Sequence, residues 1–112
     1  MAKIAFWITA GPELAEKVLP NLVMAERLKK QRGQEVEVYF FGPGIRLAAE
    51  AEGRMKEAIE ALRSADIPMR ACPAIADQYG VSARMTEQGI VLEPAGQVLV
   101  QLVESGYQVV GV

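Results

Sequence analysis

The 112-residue chain contains no histidine and a single cysteine. Without imidazole there is no Ser-His or Cys-His catalytic pair and no imidazole metal site. One thiol permits no internal disulfide, no Cys-x-x-Cys redox pair and no thiolate zinc cluster. The sixth residue after Cys72 is Gln78, so the Cys-x5-Arg loop that cradles phosphate in cysteine phosphatases is missing as well. No G-x-G-x-x-G or Walker lysine pattern supports a nucleotide, and no cofactor is expected. Positive charge is scattered and gives no extended basic patch. The formal charge is −2 and only Arg27-Leu28-Lys29-Lys30-Gln31-Arg32 forms a basic run. That run ends a predicted helix, where cations complement the dipole, so no nucleic-acid partner is expected. The longest apolar stretch near the start, Ile4 to Ile8, is too short to cross a membrane and stops at Thr9-Ala10-Gly11-Pro12. It reads as a core strand and not as a signal peptide, and a cytoplasmic location, where thiols stay reduced, is expected.

What is present is enough apolar residue, 51% of the chain, to bury one core, and residues 1–112 are expected to form a single domain. Strand-length runs alternate with helical stripes. Lys3 to Thr9 and Val36 to Phe41 read as strands covered on both faces. Between them a helix opens at Gly11-Pro12-Glu13, carries the stripe Leu14, Val18, Leu22, Ala25 and Leu28, and ends at Gly33. Pro20 should kink it, or split it near Leu19. Gly42-Pro43-Gly44 is a sharp turn leading to a short helix over Ile45 to Glu52 that carries Arg46. An amphipathic helix follows from Arg54 to Asp66. Met69 to Ala71 is a strand, Pro73 to about Tyr79 and Ser82 to Gln88 are short helices, and Ile90 to Leu92 is a weak strand. Ala95 to Ser105 is a helix with Val98, Leu99, Leu102 and Val103 inward, and Tyr107 to Val112 is the last strand. This alternation predicts a parallel sheet with helices on both faces. The loops after the strands then gather along one edge, bringing Thr9–Pro12, Gly42–Arg46, Cys72-Pro73 and Glu93-Pro94 together.

Cys72 is the most distinctive residue on that edge. Pro73 suits the first position of a helix and steers Cys72 toward extended backbone, at a hinge between strand and helix. Free N–H groups and the positive helix end favour an anion there, which would lower the thiol pKa below its usual value of roughly 8.5. The alternative reading is a small hydrophobe used for packing. Gly42 and Gly44 either make the turn or let backbone approach a ligand. Arg46 and Arg70 could hold an anionic group, or could be a solvated helix start and a strand residue on either side of the sheet.

Three stretches carry a family resemblance: Val36-Glu37-Val38-Tyr39-Phe40-Phe41-Gly42-Pro43-Gly44-Ile45-Arg46, the lone cysteine after the third strand with a short helix and Gly80-Val81 behind it, and Gly106-Tyr107-Gln108-Val109-Val110. Together they resemble the DsrE/DsrF-like family of small sulfur-relay proteins. The resemblance implies an α/β, three-layer α/β/α fold with a five-strand parallel sheet, flavodoxin-like in outline. It also implies a persulfide carried on Cys72, assembly as a homo-oligomer (trimer or hexamer), and exchange with sulfur donor and acceptor proteins. Arg70, Pro73, Gly42, Gly44, Arg46 and Gly11 are then the expected surroundings of the sulfur. A single thiolate can accept sulfane sulfur and pass it on with no metal, histidine or resolving cysteine. Two other functions fit the same residues. One is a non-catalytic oligomeric module that binds a small ligand and uses the cysteine for packing. The other is a thiol sensor passing through sulfenic acid. Oligomer formation is further expected because Val100 and the short elements bearing Val81, Met85, Ile90 and Leu92 leave apolar surface that a small core does not cover.

Overall fold

A computed structural model describes all 112 residues. Five parallel strands, β1 (Lys3–Ile8), β2 (Glu35–Phe40), β3 (Met69–Ala71), β4 (Val91–Leu92) and β5 (Gln108–Gly111), form one sheet in the order β4-β3-β2-β1-β5. The chain therefore steps in one direction through four strands and then crosses back to the far side of β1. Right-handed crossovers put every connection that steps the same way on the same face. α1 (Ala15–Lys30), α2 (Pro43–Ala49), α3 (Gly53–Ser64), α4 (Pro73–Gln78) and α5 (Ser82–Glu87) accordingly supply apolar residues to one core. Only α6 (Ala95–Glu104), on the single reversing connection, lies over the other face.

The larger core joins alternate strand residues, Phe6, Ile8, Val36, Val38, Phe40, Met69 and Ala71, to Val18, Leu22 and Ala25 of α1 and to Ile59 and Leu62 of α3. Burial of this kind, at about 25 cal/mol for each Å² of apolar surface, is the main favourable term in the fold. The smaller core is four residues, Ala5, Tyr39, Val98 and Leu102.

Several expectations change. α1 is preceded by a 3-10 turn over Pro12–Leu14, and it runs through Pro20 in one piece. Pro20 and Glu16 both face solvent, so water can serve the Glu16 carbonyl that proline deprives of its donor. Leu14 is exposed because it lies in the turn and not on the helical stripe. α2 starts at Pro43 rather than Ile45, since proline supplies a ready first position, and it stops at Ala49. On α6, Val98 and Leu102 are buried, whereas Leu99 is 40% and Val103 60% exposed. No second helix lies beside α6 to cover its flanks. Met85 and Ile90, expected to be poorly covered, are fully buried in the main core.

The turn at Gly42-Pro43-Gly44 needs both glycines, for different reasons. Gly42 has a left-handed φ of 58° with open space around it. Gly44 has ordinary helical backbone, but a Cβ there would drive into the carbonyl oxygen of Ile8. Gly42→Ala should therefore cost about 1 kcal/mol of stability. Gly44→Ala should cost about 3 kcal/mol, because β1 or α2 must shift. Thermal melts of the two variants check this order, and equal midpoints would contradict it.

Candidate functional site

Cys72 follows β3 directly and is the residue before the first turn of α4, with φ −71° and ψ 120°. The extended backbone is what Pro73 imposes. Its N–H donates to the Phe40 carbonyl at 3.4 Å, which extends the β2–β3 ladder by one step. Its carbonyl accepts from Ala76 N–H at 3.0 Å, which starts the helix. The side chain is half-buried and touches both cores. It makes no capping hydrogen bond to the helix.

Strand alternation puts Arg70 and Cys72 on the α6 face, beside Tyr39, which is in register with Arg70. Arg70 does not reach toward the thiol as a free cation. Its guanidinium donates to Glu37 and, at 3.4 Å, to Glu93, and its side chain is only 16% exposed. One cation between two carboxylates leaves this end of the face with a net negative charge. Glu93 is held in three ways. Its N–H donates to the Ala71 carbonyl at 3.1 Å, its carbonyl accepts from the Tyr39 hydroxyl at 2.7 Å, and its carboxylate accepts from Arg70. These bonds fasten the β4–α6 loop onto the strand that delivers Cys72.

The other expected residues form a second group on the same sheet edge. Arg46 pairs with Glu13 at 3.3 Å and lies 5.8 Å from the Tyr79 ring centroid. Gly11 is wedged among Glu13, Pro43 and Arg46, since a Cβ there would come within 2.7 Å of Glu13 and 3.0 Å of Pro43. Arg46 is thus committed to Glu13 and to the far end of α4, while Cys72 and Pro73 stand at its start. Gly42 and Gly44 shape the turn that seats α2 under β1. The His/Cys/Asp/Glu side chains form no group of three or more able to hold a metal ion.

The family model for the DsrE/DsrF-like family matches residues 2–111. The chain belongs to the DsrE/DsrF-like family. Solved structures of the same fold include a conserved protein of unknown function from Bacteroides thetaiotaomicron, 17% identical, with a TM-score of 0.82 over 96% of this chain and 94% of that one. The ychN protein from E. coli is 19% identical, with a TM-score of 0.80 over the full length of both chains. Identities this low establish the shared fold alone. No functionally curated protein matches the chain. No helix of this DsrE/DsrF-like protein is long and apolar enough to cross a membrane.

Sequence reasoning missed Tyr39 and Trp7. Trp7 stacks on Tyr39 with ring centroids 4.3 Å apart and an interplanar angle of 16°. Tyr39 is 1% exposed, and burial raises its phenol pKa well above the ordinary 10.0, with the nearby Cys72 and Glu93 adding to the shift and Arg70 opposing it. Tyr107, at the opposite end of the face, is pushed up to about 12, first by burial and then by Glu37 and Glu35. The one available signal was the alternation of Glu37 and Tyr39 on β2, continued by Phe41 just after it, against Val36, Val38 and Phe40.

Both phenols are held neutral in the fold at pH values where the unfolded chain ionises them. Their contribution is complete below the ordinary phenol value of 10.0 and is lost as pH rises through it toward the raised folded values. Melting midpoints measured from about pH 8 to about pH 11 should fall steeply above 10, and Tyr39→Phe should make the fall shallower. At neutral pH the same variant should lose about 1 kcal/mol, because the Glu93 carbonyl loses its phenol donor. An alkaline limb identical in both proteins would contradict the burial of Tyr39.

Proposed function

We propose that this DsrE/DsrF-like protein is a sulfur carrier that accepts sulfane sulfur as a persulfide on Cys72 and passes it to a partner. The observation that carries the reading is a family match over residues 2–111 in a chain whose only cysteine stands at the carboxyl edge of a parallel sheet. That edge is where open α/β sheets bind ligands. In the proposed step the Cys72 thiolate attacks the outer sulfur of a donor R–S–S–H. A Cys72–sulfur bond forms, the donor S–S bond breaks, the electron pair leaves with the donor thiolate, and the proton stays on the transferred sulfur. Delivery to an acceptor thiolate is the same step in reverse, so neither direction needs an oxidant, a metal or a second cysteine. Such a thiol has to stay reduced, which fits a cytoplasmic setting.

The Arg70 pairing refines the site. With Glu37 and Glu93 already on its guanidinium, Arg70 serves as the fastener of the β4–α6 loop. Arg46, bound to Glu13, holds α2 to the turn after β1. The proposed carrier therefore relies on Cys72 alone for chemistry. The half-buried placement of Cys72 between two apolar clusters favours the packing alternative, a binding module with an unreactive thiol.

Incubation with a persulfide donor should add one sulfur atom to the intact mass of the native protein and none to Cys72→Ser, which should keep the wild-type melting midpoint. A native thiol that neither gains sulfur nor reacts with iodoacetamide before unfolding would leave the packing reading. We also propose a homo-oligomer, a trimer or hexamer, for which the exposed Val100 and Val103 of α6, outside the groove described below, provide apolar surface. Light scattering at micromolar concentration should give a mass several times the 12.2 kDa of one chain, and a stable monomer would rule this out.

A further inference from the structure

Ten glycines occur in the chain, and eight have an evident reason. Six adopt a left-handed φ that other residues avoid, a Cβ on Gly44 would strike the Ile8 carbonyl, and one on Gly11 would crowd Pro43 at 3.0 Å. Gly96 and Gly111 have neither reason, because their φ is ordinary and a Cβ on either would meet nothing within 4 Å. Glycine in a helix or strand costs about 0.5 to 1 kcal/mol relative to alanine, so something other than local stability is served by leaving these positions bare. Both line the same groove.

That groove is about 400 Å³ and is bounded by Trp7, Phe41, Ala95, Gly96, Leu99, Val109 and Gly111, with no charged side chain among them. It lies under the first turn of α6, at the carboxyl ends of β1 and β5, where the strand order reverses. A crevice at such a reversal is the usual ligand position in open α/β sheets. Trp7, Phe41, Ala95 and Val109 belong to the same packed group as Cys72, and Cys72 follows Ala71, whose register partner is Phe40, so it stands level with Phe41. The floor is aromatic. Trp7 is stacked on Tyr39, and Phe41 is tilted against it at a centroid distance of 6.0 Å.

We infer that this groove receives the apolar group, aryl or alkyl, of a small sulfur compound whose reacting sulfur is presented to Cys72. The inference rests on the sulfur-carrier reading for the chemistry and on the groove alone for the binding. The bound compound is R–S–S–H with R in the groove. Cys72 takes its outer sulfur by the exchange described above, and the R–S thiolate leaves with the electron pair. A small anion would find no free guanidinium there, since Arg70 is paired twice, and two carboxylates flank it. An apolar R group gains its affinity from burial against Trp7, Phe41 and Leu99.

Alkylation rates of Cys72 with N-phenyl-2-iodoacetamide and with iodoacetamide test the groove, with glutathione as the reference thiol. The preference of the protein for the phenyl reagent should exceed that of glutathione by roughly tenfold, the factor given by 1.4 kcal/mol of added binding. Gly96→Leu and Gly111→Leu put apolar bulk on the groove wall at positions where the φ is not left-handed and an added Cβ meets nothing within 4 Å. Both should return the preference, read as the ratio of the two alkylation rates so that any general change in thiol reactivity cancels, to the glutathione value. An absent preference in the native protein, or one that survives both variants, overturns the assignment. So does a preference that disappears only as the assembly changes mass by light scattering, which would make a second copy the occupant. A native preference without transfer of sulfur from an aryl persulfide overturns the carrier reading and leaves the groove as an apolar ligand site.

Discussion

The handedness of strand crossovers governs the layout of this protein. Because β1 to β4 advance in one direction, their connections are all driven to one face of the sheet, and only the single reversal leaves a helix for the other. One ten-residue helix cannot cover five strands. The α6 face is therefore divided. Its middle holds the small core of Ala5, Tyr39, Val98 and Leu102, and its margins remain open. Everything chemically distinctive in the molecule stands along those margins, including Cys72, the Arg70 pairings and the aromatic groove.

The two margins are opposite in character. Toward β3 and β4, Glu37, Arg70 and Glu93 form a partly buried charge network whose value lies in mutual orientation, since desolvation offsets much of the attraction. Toward β1 and β5 the surface is apolar, and glycine keeps it concave. Tyr39 lies between the two. Its ring supports Trp7 on one side, and its hydroxyl holds the Glu93 carbonyl on the other. Cys72 stands beside Tyr39, where the charged margin gives way to the apolar one.

The strands, most helices and the position of Cys72 at a strand-to-helix hinge were legible because proline, glycine and apolar spacing act locally. Cys72-Pro73 and Gly42-Pro43-Gly44 dictate their own backbone, and family membership was visible in the same stretches. What stayed hidden depends on neighbours distant in sequence. The partners of Arg70 come from β2 and from the loop after β4. Arg46 is claimed by Glu13, thirty-three residues earlier. Leu99 and Val103 read as inward from helical spacing, yet they are exposed because spacing does not reveal how many helices share a face. The stack of Trp7 on Tyr39 follows from the β1–β2 register, which no single strand discloses.

The stack also makes the molecule self-reporting. Trp7 is the only indole in the chain, and it touches the phenol that abuts the thiol while forming part of the groove floor. Its emission therefore monitors one locality rather than the average of a fold. A quencher or a bound ring in the groove would alter that light directly. A disturbance confined to the helices of the opposite layer would leave it unchanged until the sheet itself gave way. Intrinsic fluorescence is thus a built-in optical readout of occupancy in the groove that adjoins the only cysteine of the chain.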